Sequence, residues 1–337
     1  MTTMSTAVPS AVDPELAKAQ EYAAKLLLLS EGSVNKHFDP FEDIDWDNPD
    51  FAADAGAERW VLPVSGDALG RHPWYQALPL ERKIAIGKYR QANVAKVGLQ
   101  FESILISGMV THSFGLPNGS PEFRYCSYEM IEEHNHTLMF QEMVNRIGID
   151  VPGMGPLVRK FKYIGAPVAA LFPNLFFMAV LAGEEPIDHI QKAILRSGEE
   201  VHPIMRGVMA IHVAEEARHI SFAHEFLEQH VPEKNAADKL VLSIVMPIVM
   251  FILGRSIYTP PRSFFKEFDI PDEVRKELFY GSKQAKQEFS DFFGDVRTLA
   301  KDIGLMNPIG KAVWKLLNID GHTTRYRSEP LRSAKAG

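Results

Sequence analysis

Proline opens several of the long apolar-patterned segments of this chain, and glycine or proline closes them. No other feature constrains the fold so tightly. Pro121 suits the first turn of a helix running to Ile147, and Gly148 then begins a break that lasts to Gly155. Pro203 likewise starts a segment that continues to His230 and stops before Pro232. Inside these bounds apolar residues return every three or four positions, the period of an amphipathic helix. Leu80–Phe114 reads as one long helix on the same pattern, ended by Gly115-Leu116-Pro117-Asn118-Gly119. Further helices are expected over Ser10–Ser30, ended near Gly32, and over two apolar stretches that fill Leu157–Ser197 and bend at their prolines. Asn235–Gly254 and Asp272–Ile303 complete the set. No run alternates apolar and polar residues as a half-buried strand would. The expectation is an all-α bundle.

Val34–Pro79 breaks the helical pattern with Asp, Pro and Gly, yet it carries Phe38, Phe41, Trp46, Phe51, Trp60 and Trp74. A loop of that length in a compact protein normally packs as a covering layer, and a flexible linker would lack the aromatics. The chain therefore divides into an N-terminal helix and extension (1–37), an irregular covering segment (38–79), a central helical bundle (80–231) and C-terminal helices packed on the same domain (232–337), with a polar tail over Glu329–Gly337.

Composition narrows the setting. Of 337 residues, 46% are hydrophobic and 23% charged, with a net charge of −7. That is an ordinary globular balance, and it offers no broad attraction to nucleic acid or anionic lipid. Cys126 is the single cysteine, which excludes an intrachain disulfide and a cysteine-rich metal site. A cytoplasmic location is expected, and Met1–Ala17 shows no signal-peptide pattern. Ile164–Gly183 approaches the roughly 20 residues that span a bilayer, but it contains Pro167 and Pro173 and runs into Glu184 and Glu185. Leu240–Leu253 is shorter and holds Pro247. Both read as buried core helices, so membrane contact is not expected.

Polar residues on the apolar faces carry the chemistry. His212, Glu216 and His219 are spaced by four and three residues, so they share one helix face with Met205, Val208, Met209 and Ile220. A carboxylate and two imidazoles buried without partners would cost several kcal/mol, which a shared cation removes; a hydrogen-bonded core cluster is the alternative. Glu133 and His136 form a Glu-x-x-His pair, the spacing that dimetal bundles use to send two ligands inward from one helix. A glutamate-rich surface helix gives the same spacing by chance. Glu129 is either a partner of such a site or solvated, and Glu132 reads as solvated. Glu102 stands alone on a stripe with Val94, Gly98, Leu99, Leu105, Ile106 and Met109, and needs either a metal or an arginine. A fourth acid is expected at Glu184 or Glu185, beside the disturbing Pro186, with His189 as a rival.

Glu, Glu-x-x-His, Glu and Glu-x-x-His on four successive helices is the ferritin-like dimetal arrangement. With His212 added one turn before Glu216, the chain resembles the para-aminobenzoate N-oxygenase (AurF) family, over about Phe38–Val231 and including His72-Pro73 and Leu80-Glu81-Arg82. The resemblance implies a ferritin-like bundle with a dinuclear site in its core. Its seven ligands would be Glu102, Glu133, His136, Glu185, His212, Glu216 and His219, with Glu185 preferred to Glu184 by its spacing to His212. It further implies two iron ions (Fe2+/Fe3+), O2 as co-substrate, an external electron donor, and oxidation of an aromatic amine through hydroxylamine and nitroso toward nitro.

Imidazole and carboxylate donors suit iron, and manganese as a substitute. Phe101, Met139, Phe140, Phe176, Phe177 and Met178 are the candidate substrate walls, and no arginine on the Glu102 stripe offers itself to a substrate carboxylate. A di-iron hydroxylase or desaturase of a lipid or polyketide chain is the competing enzyme. A ferritin-like metal sequestration protein is the competing class; it predicts many irons in a shell, where the enzyme predicts two irons in a homodimer.

Overall fold

The computed structural model describes residues 14–198 and 200–324, with the side chains of Pro14 and Leu157 set aside. Residues 10–13 of the expected first helix and the polar tail at 329–337 lie outside the described residues. Within them there are helices and no strand.

The helices run in the order α1 (Pro14–Asn35), the single turn α2 (Pro73–Gln76), α3 (Leu80–Phe114), α4 (Pro121–Ile147), the short α5 (Pro156–Lys160) and α6 (Gly165–Leu171), α7 (Pro173–Arg196), α8 (Pro203–His230) and α9 (Ala236–Tyr258). Five shorter ones follow: α10 (Arg262–Glu267), α11 (Asp272–Lys276), α12 (Lys283–Asp291), α13 (Gly294–Asp302) and α14 (Pro308–Leu316). The bounds of α3, α4 and α8 are those expected, because their ends are written locally. Gly148 closes α4 at φ +73°, a left-handed conformation open to glycine without strain. His202 caps α8 by accepting the Ile204 N–H on its ring, one residue before Pro203.

Three expectations change. α1 continues through Gly32 to Asn35; a side chain at Gly32 would bring a Cβ to 3.1 Å from Arg218, so this residue marks a close helix–helix approach and not a stop. Asp272–Ile303 is not one helix. A π-turn over Glu277–Gly281 interrupts it, Ser282 caps α12 through Ala285 N at 3.0 Å, and a turn at Phe292-Phe293 separates α12 from α13. Local capping overrides periodicity there. The apolar stretch Ile164–Gly183 is divided at Phe172, before Pro173, so no single helix spans it.

α3 and α4 pack along much of their length, α7 lies against α8 and α9, and α1 crosses α4 and α8. Small residues bring α3 and α7 together: a Cβ on Gly183 would fall 2.1 Å from the Phe101 ring, and one on Gly108 would fall 2.2 Å from Phe176. Among the described residues two segments, α3 and the run Ala236–Glu267 that holds α9 and α10, are long and apolar enough to cross a bilayer. The first carries buried Arg90, Asn93 and Glu102. In the second, α9 is not the buried core helix expected, because Val241 and Ile252 face solvent.

The covering segment packs as its aromatics require. Trp46 and Trp60 are buried and donate their indole N–H groups to Pro40 O (2.6 Å) and Ala53 O (2.8 Å), while Trp60 stacks on His202 with ring centroids 4.1 Å apart. Phe41 differs and points to solvent.

Candidate metal centre

α3, α4, α7 and α8 each turn at least one acid into the middle of the bundle. Glu102 comes from α3, Glu133 and His136 from α4, Glu184 from α7, and His212, Glu216 and His219 from α8; all are buried. They fall into three overlapping groups whose ligand atoms lie within 4.8 Å of one another: Glu133, His136, Glu216 and His219; Glu102, His136 and His212; Glu184, His212 and Glu216. The connecting distances are short. His219 Nδ1 is 2.8 Å from Glu133 and 3.6 Å from Glu216, and His136 Nδ1 is 3.6 Å from Glu133 and 3.9 Å from Glu102. His212 Nε2 lies 3.3 Å from Glu102 and 3.7 Å from Glu216.

The expected Glu185 is not in these groups; Glu184 takes its place. Successive residues on a helix point about 100° apart, so only one of two adjacent acids faces a given neighbour. Glu184 belongs to the stripe Phe177, Leu181, Glu184, Asp188, Gln191, and the helix persists through Pro186 without losing that register. Glu185 instead accepts a hydrogen bond from His224 Nε2 at 3.1 Å and lies 4.0 Å from His189, so His189 follows it away from the centre.

The protonation of the cluster follows from its burial. Desolvation, reinforced by Glu133, raises the Glu102 carboxyl well above the usual range, and desolvation with Glu216 does the same to Glu184. Burial would raise Glu133 too, but His219 and His136 overcome it and hold that carboxyl low. Burial opposes charge on His136, yet Glu133 and Glu215 lift it to about 10, and His219 is raised by Glu133 and Glu132. His212 goes the other way, to about 4, through burial and the neighbouring His136 charge. The acids beside His136 and His219 thus favour the charged form of both rings, while burial favours the neutral form of His212 that a cation requires.

The arrangement fits a cation pair. Both oxygens of Glu133 and of Glu216, Glu102 Oε2, Glu184 Oε1, and Nδ1 of His136 and His219 are buried without a hydrogen-bond partner among the described residues, while His212 turns Nε2 to Glu102 Oε1 at 3.3 Å. Buried polar atoms are normally paired; so many orphans facing one another on four helices are a set of donors.

Two further carboxylates hold the histidines from behind, and they cross. His136 on α4 donates from Nε2 to Glu215 on α8 at 2.8 Å, while His219 on α8 donates from Nε2 to Glu132 on α4 at 2.7 Å. Each imidazole therefore presents Nδ1 to the centre. Arg218 joins the two carboxylates, 2.7 Å from Glu132 and 3.7 Å from Glu215. The expectation that Glu132 is solvated is corrected: it is buried, and this pairing satisfies it. Glu215 and Arg218 were not anticipated, although the repeated Glu-Glu-x-x-His of 132–136 and 215–219 is a signal for both outer acids. Glu129, one turn before Glu133, is buried with its pKa raised to about 8 by desolvation.

Of the candidate walls, Phe140 lies beside the centre, its ring 5.3 Å from that of His212. Phe177 turns instead into an aromatic group with Phe222 and Phe226.

Comparison with known proteins agrees with this geometry. The sequence model of a family described as P-aminobenzoate N-oxygenase AurF matches residues 19–304. Uncharacterized protein Rv0885 of Mycobacterium tuberculosis (strain ATCC 25618 / H37Rv) is 55% identical over 318 residues, covering 94% of this chain and 93% of that protein. Uncharacterized protein Mb0909 of Mycobacterium bovis (strain ATCC BAA-935 / AF2122/97) has the same identity and coverage.

Proposed function

The chain belongs to the P-aminobenzoate N-oxygenase AurF family, and from that premise we propose that it is a non-haem di-iron oxygenase that N-oxygenates an arylamine toward hydroxylamine, nitroso and nitro products. The fold is a ferritin-like helical bundle. One observation carries the reading: seven buried donors from four helices, three of them histidines, converge with many of their inward atoms lacking a hydrogen-bond partner among the described residues. Glu102, His136 and His212 would hold one iron and Glu184 with His219 the other, with Glu133 and Glu216 within reach of both.

When bound, such a pair supplies the electrons for reductive activation of O2. The chain does the rest. Glu132 and Glu215 fix the ring orientation of His219 and His136, and Phe140 and Phe101 exclude water beside the centre. Arg218 is committed to Glu132 and Glu215 and is not offered to a substrate carboxylate, so the reading favours an amine recognised by apolar contact. An external electron donor, a homodimer and a cytoplasmic location belong to the same proposal.

The test begins with anaerobic loading by Fe2+ and metal analysis. About two irons per chain are expected, the nuclearity of carboxylate-bridged bundles. Many irons per chain would favour sequestration, and one iron or stoichiometric zinc would end the dinuclear reading. The loaded, reduced protein is then given O2 with a panel of arylamines and of fatty acyl chains, and products are identified by mass. Nitroso or nitro arenes support the proposal; hydroxylated or desaturated chains with untouched amines replace it.

A further inference from the structure

The hydrogen bonds behind the histidines do not end at Glu132, Glu215 and Arg218. They continue into the start of the covering segment. The Phe38 backbone N–H donates to Glu215 Oε1 at 3.2 Å, while the other oxygen of that carboxylate takes the His136 N–H. Arg218 Nη2 donates to the Lys36 carbonyl at 3.1 Å as well as to Glu132. Asn135, beside His136, donates from its amide to the Phe38 carbonyl at 3.0 Å. Further along, Arg146 holds Trp46 O at 2.9 Å and Asp47 at 3.0 Å. The close approach of Gly32 to Arg218 brings the end of α1 to this spot.

We propose that residues 36–38 are positioning residues of the metal centre. The Phe38 N–H and the Lys36 carbonyl hold Glu215 and Arg218, and through them the rings of His136 and His219. The inference rests on the dimetal reading above and adds a coupling to it: the covering segment and the metals bind each other's arrangement. A carboxylate with one oxygen on a backbone N–H and the other on a histidine has a single orientation. When the segment lifts, Glu215 loses one donor and Arg218 one acceptor, and the carboxylates behind the imidazoles are held less firmly. Outer partners of this kind are worth roughly 10–100-fold in metal affinity. Coupling is reciprocal, so the factor by which lifting the segment weakens metal binding equals the factor by which metal binding suppresses lifting. A segment that serves only as cover would leave both factors at one.

The experiment uses the full-length protein and Co2+, added anaerobically, with no turnover. Bound cobalt is read by its visible absorption and by equilibrium dialysis, and amide hydrogen exchange is followed across residues 34–48. In the wild-type protein Co2+ should slow exchange at Phe38 about tenfold or more, while an equally buried amide in α14 keeps its rate. The double variant Asn135→Ala with Arg146→Ala loosens the segment without touching Glu132, Glu215 or Arg218. Once its segment is mostly lifted, it should bind Co2+ about tenfold more weakly, up to the factor by which Co2+ slows Phe38 exchange in the wild-type protein. Arg218→Gln should lose both protection and affinity together. Identical Phe38 exchange with and without bound Co2+ overturns the proposal. So does a double variant whose segment exchanges freely while its cobalt affinity stays at the wild-type value. If the wild-type protein takes up no Co2+ or Fe2+ at all, the dimetal reading falls first and this inference with it.

Discussion

Two buried polar groups in this molecule invite comparison, because the interior treats them in opposite ways. In the C-terminal helices Arg297 is buried, and each nitrogen of its guanidinium donates a hydrogen bond. Nη1 donates to Ser290 O (2.7 Å) and Ile319 O (2.8 Å), Nη2 to His322 O (2.7 Å) and Nε to the same carbonyl (3.0 Å). Burial lowers its pKa only to about 10, so it stays charged at neutral pH. In the central bundle the acids and imidazoles are as deeply buried, yet many of their inward atoms have no hydrogen-bond partner among the described residues. Arg297 ties the end of α12, at Ser290, to the segment that follows α14, at Ile319 and His322, by donating to carbonyls the helices leave open. The acid–histidine cluster is kept incomplete, with its outward atoms tied down and its inward atoms exposed only to one another. Satisfaction marks a structural polar group; directed dissatisfaction marks a functional one.

Breaking each group in turn should give opposite signatures. His219→Ala removes a donor common to the best-formed group and should abolish iron loading, leaving well under one iron per chain. Arg297→Met should leave iron content at the wild-type level but strand the carbonyls it caps. At about 1–3 kcal/mol for each buried acceptor left unsatisfied, that variant should lose roughly 3–5 kcal/mol of stability in denaturant titration. A stable Arg297→Met, or an iron-replete His219→Ala, would erase the distinction.

A smaller effect sharpens the comparison inside the bundle. Glu184 belongs to the unsatisfied group and Glu185 to a satisfied one with His224. Glu184→Gln should therefore weaken Co2+ binding by roughly 10–100-fold, as loss of a ligand does at least as severely as loss of an outer partner, and Glu185→Gln should weaken it much less. The reverse ranking would restore Glu185 as the ligand.

The smallest expected change in metal content is at His212. A dinuclear bundle needs one histidine per metal, supplied here by His136 and His219, so His212→Ala should keep most of its iron and its helical circular dichroism. It should nonetheless lose amine oxygenation in the product assay. Because the change opens a cavity, worth a few kcal/mol in a core, melting is measured alongside. Full iron with unchanged oxygen chemistry would reduce His212 to a packing residue.

The ends of α3, α4 and α8 were legible in the sequence because proline, glycine and a capping histidine act within one turn. The convergence of Glu133, His136, Glu216 and His219 was legible too, since their spacing places each pair on one helix face. Periodicity did not reveal the breaks near Ser282 and Phe292, where a cap and a turn compete with the helix at little cost in local contacts. The choice between Glu184 and Glu185 lay beyond sequence reasoning for a different reason. Both are buried, both are acids, and Pro186 stands beside both; only the azimuth of α7 against α8 decides which one meets His212. The crossed pairing of Glu132 with His219 and Glu215 with His136 is likewise a property of two helices laid side by side. A single helix specifies its own faces through its 3.6-residue period, but the rotation of one helix about its axis relative to another is set by how their side chains interlock, and only the assembled bundle contains that information.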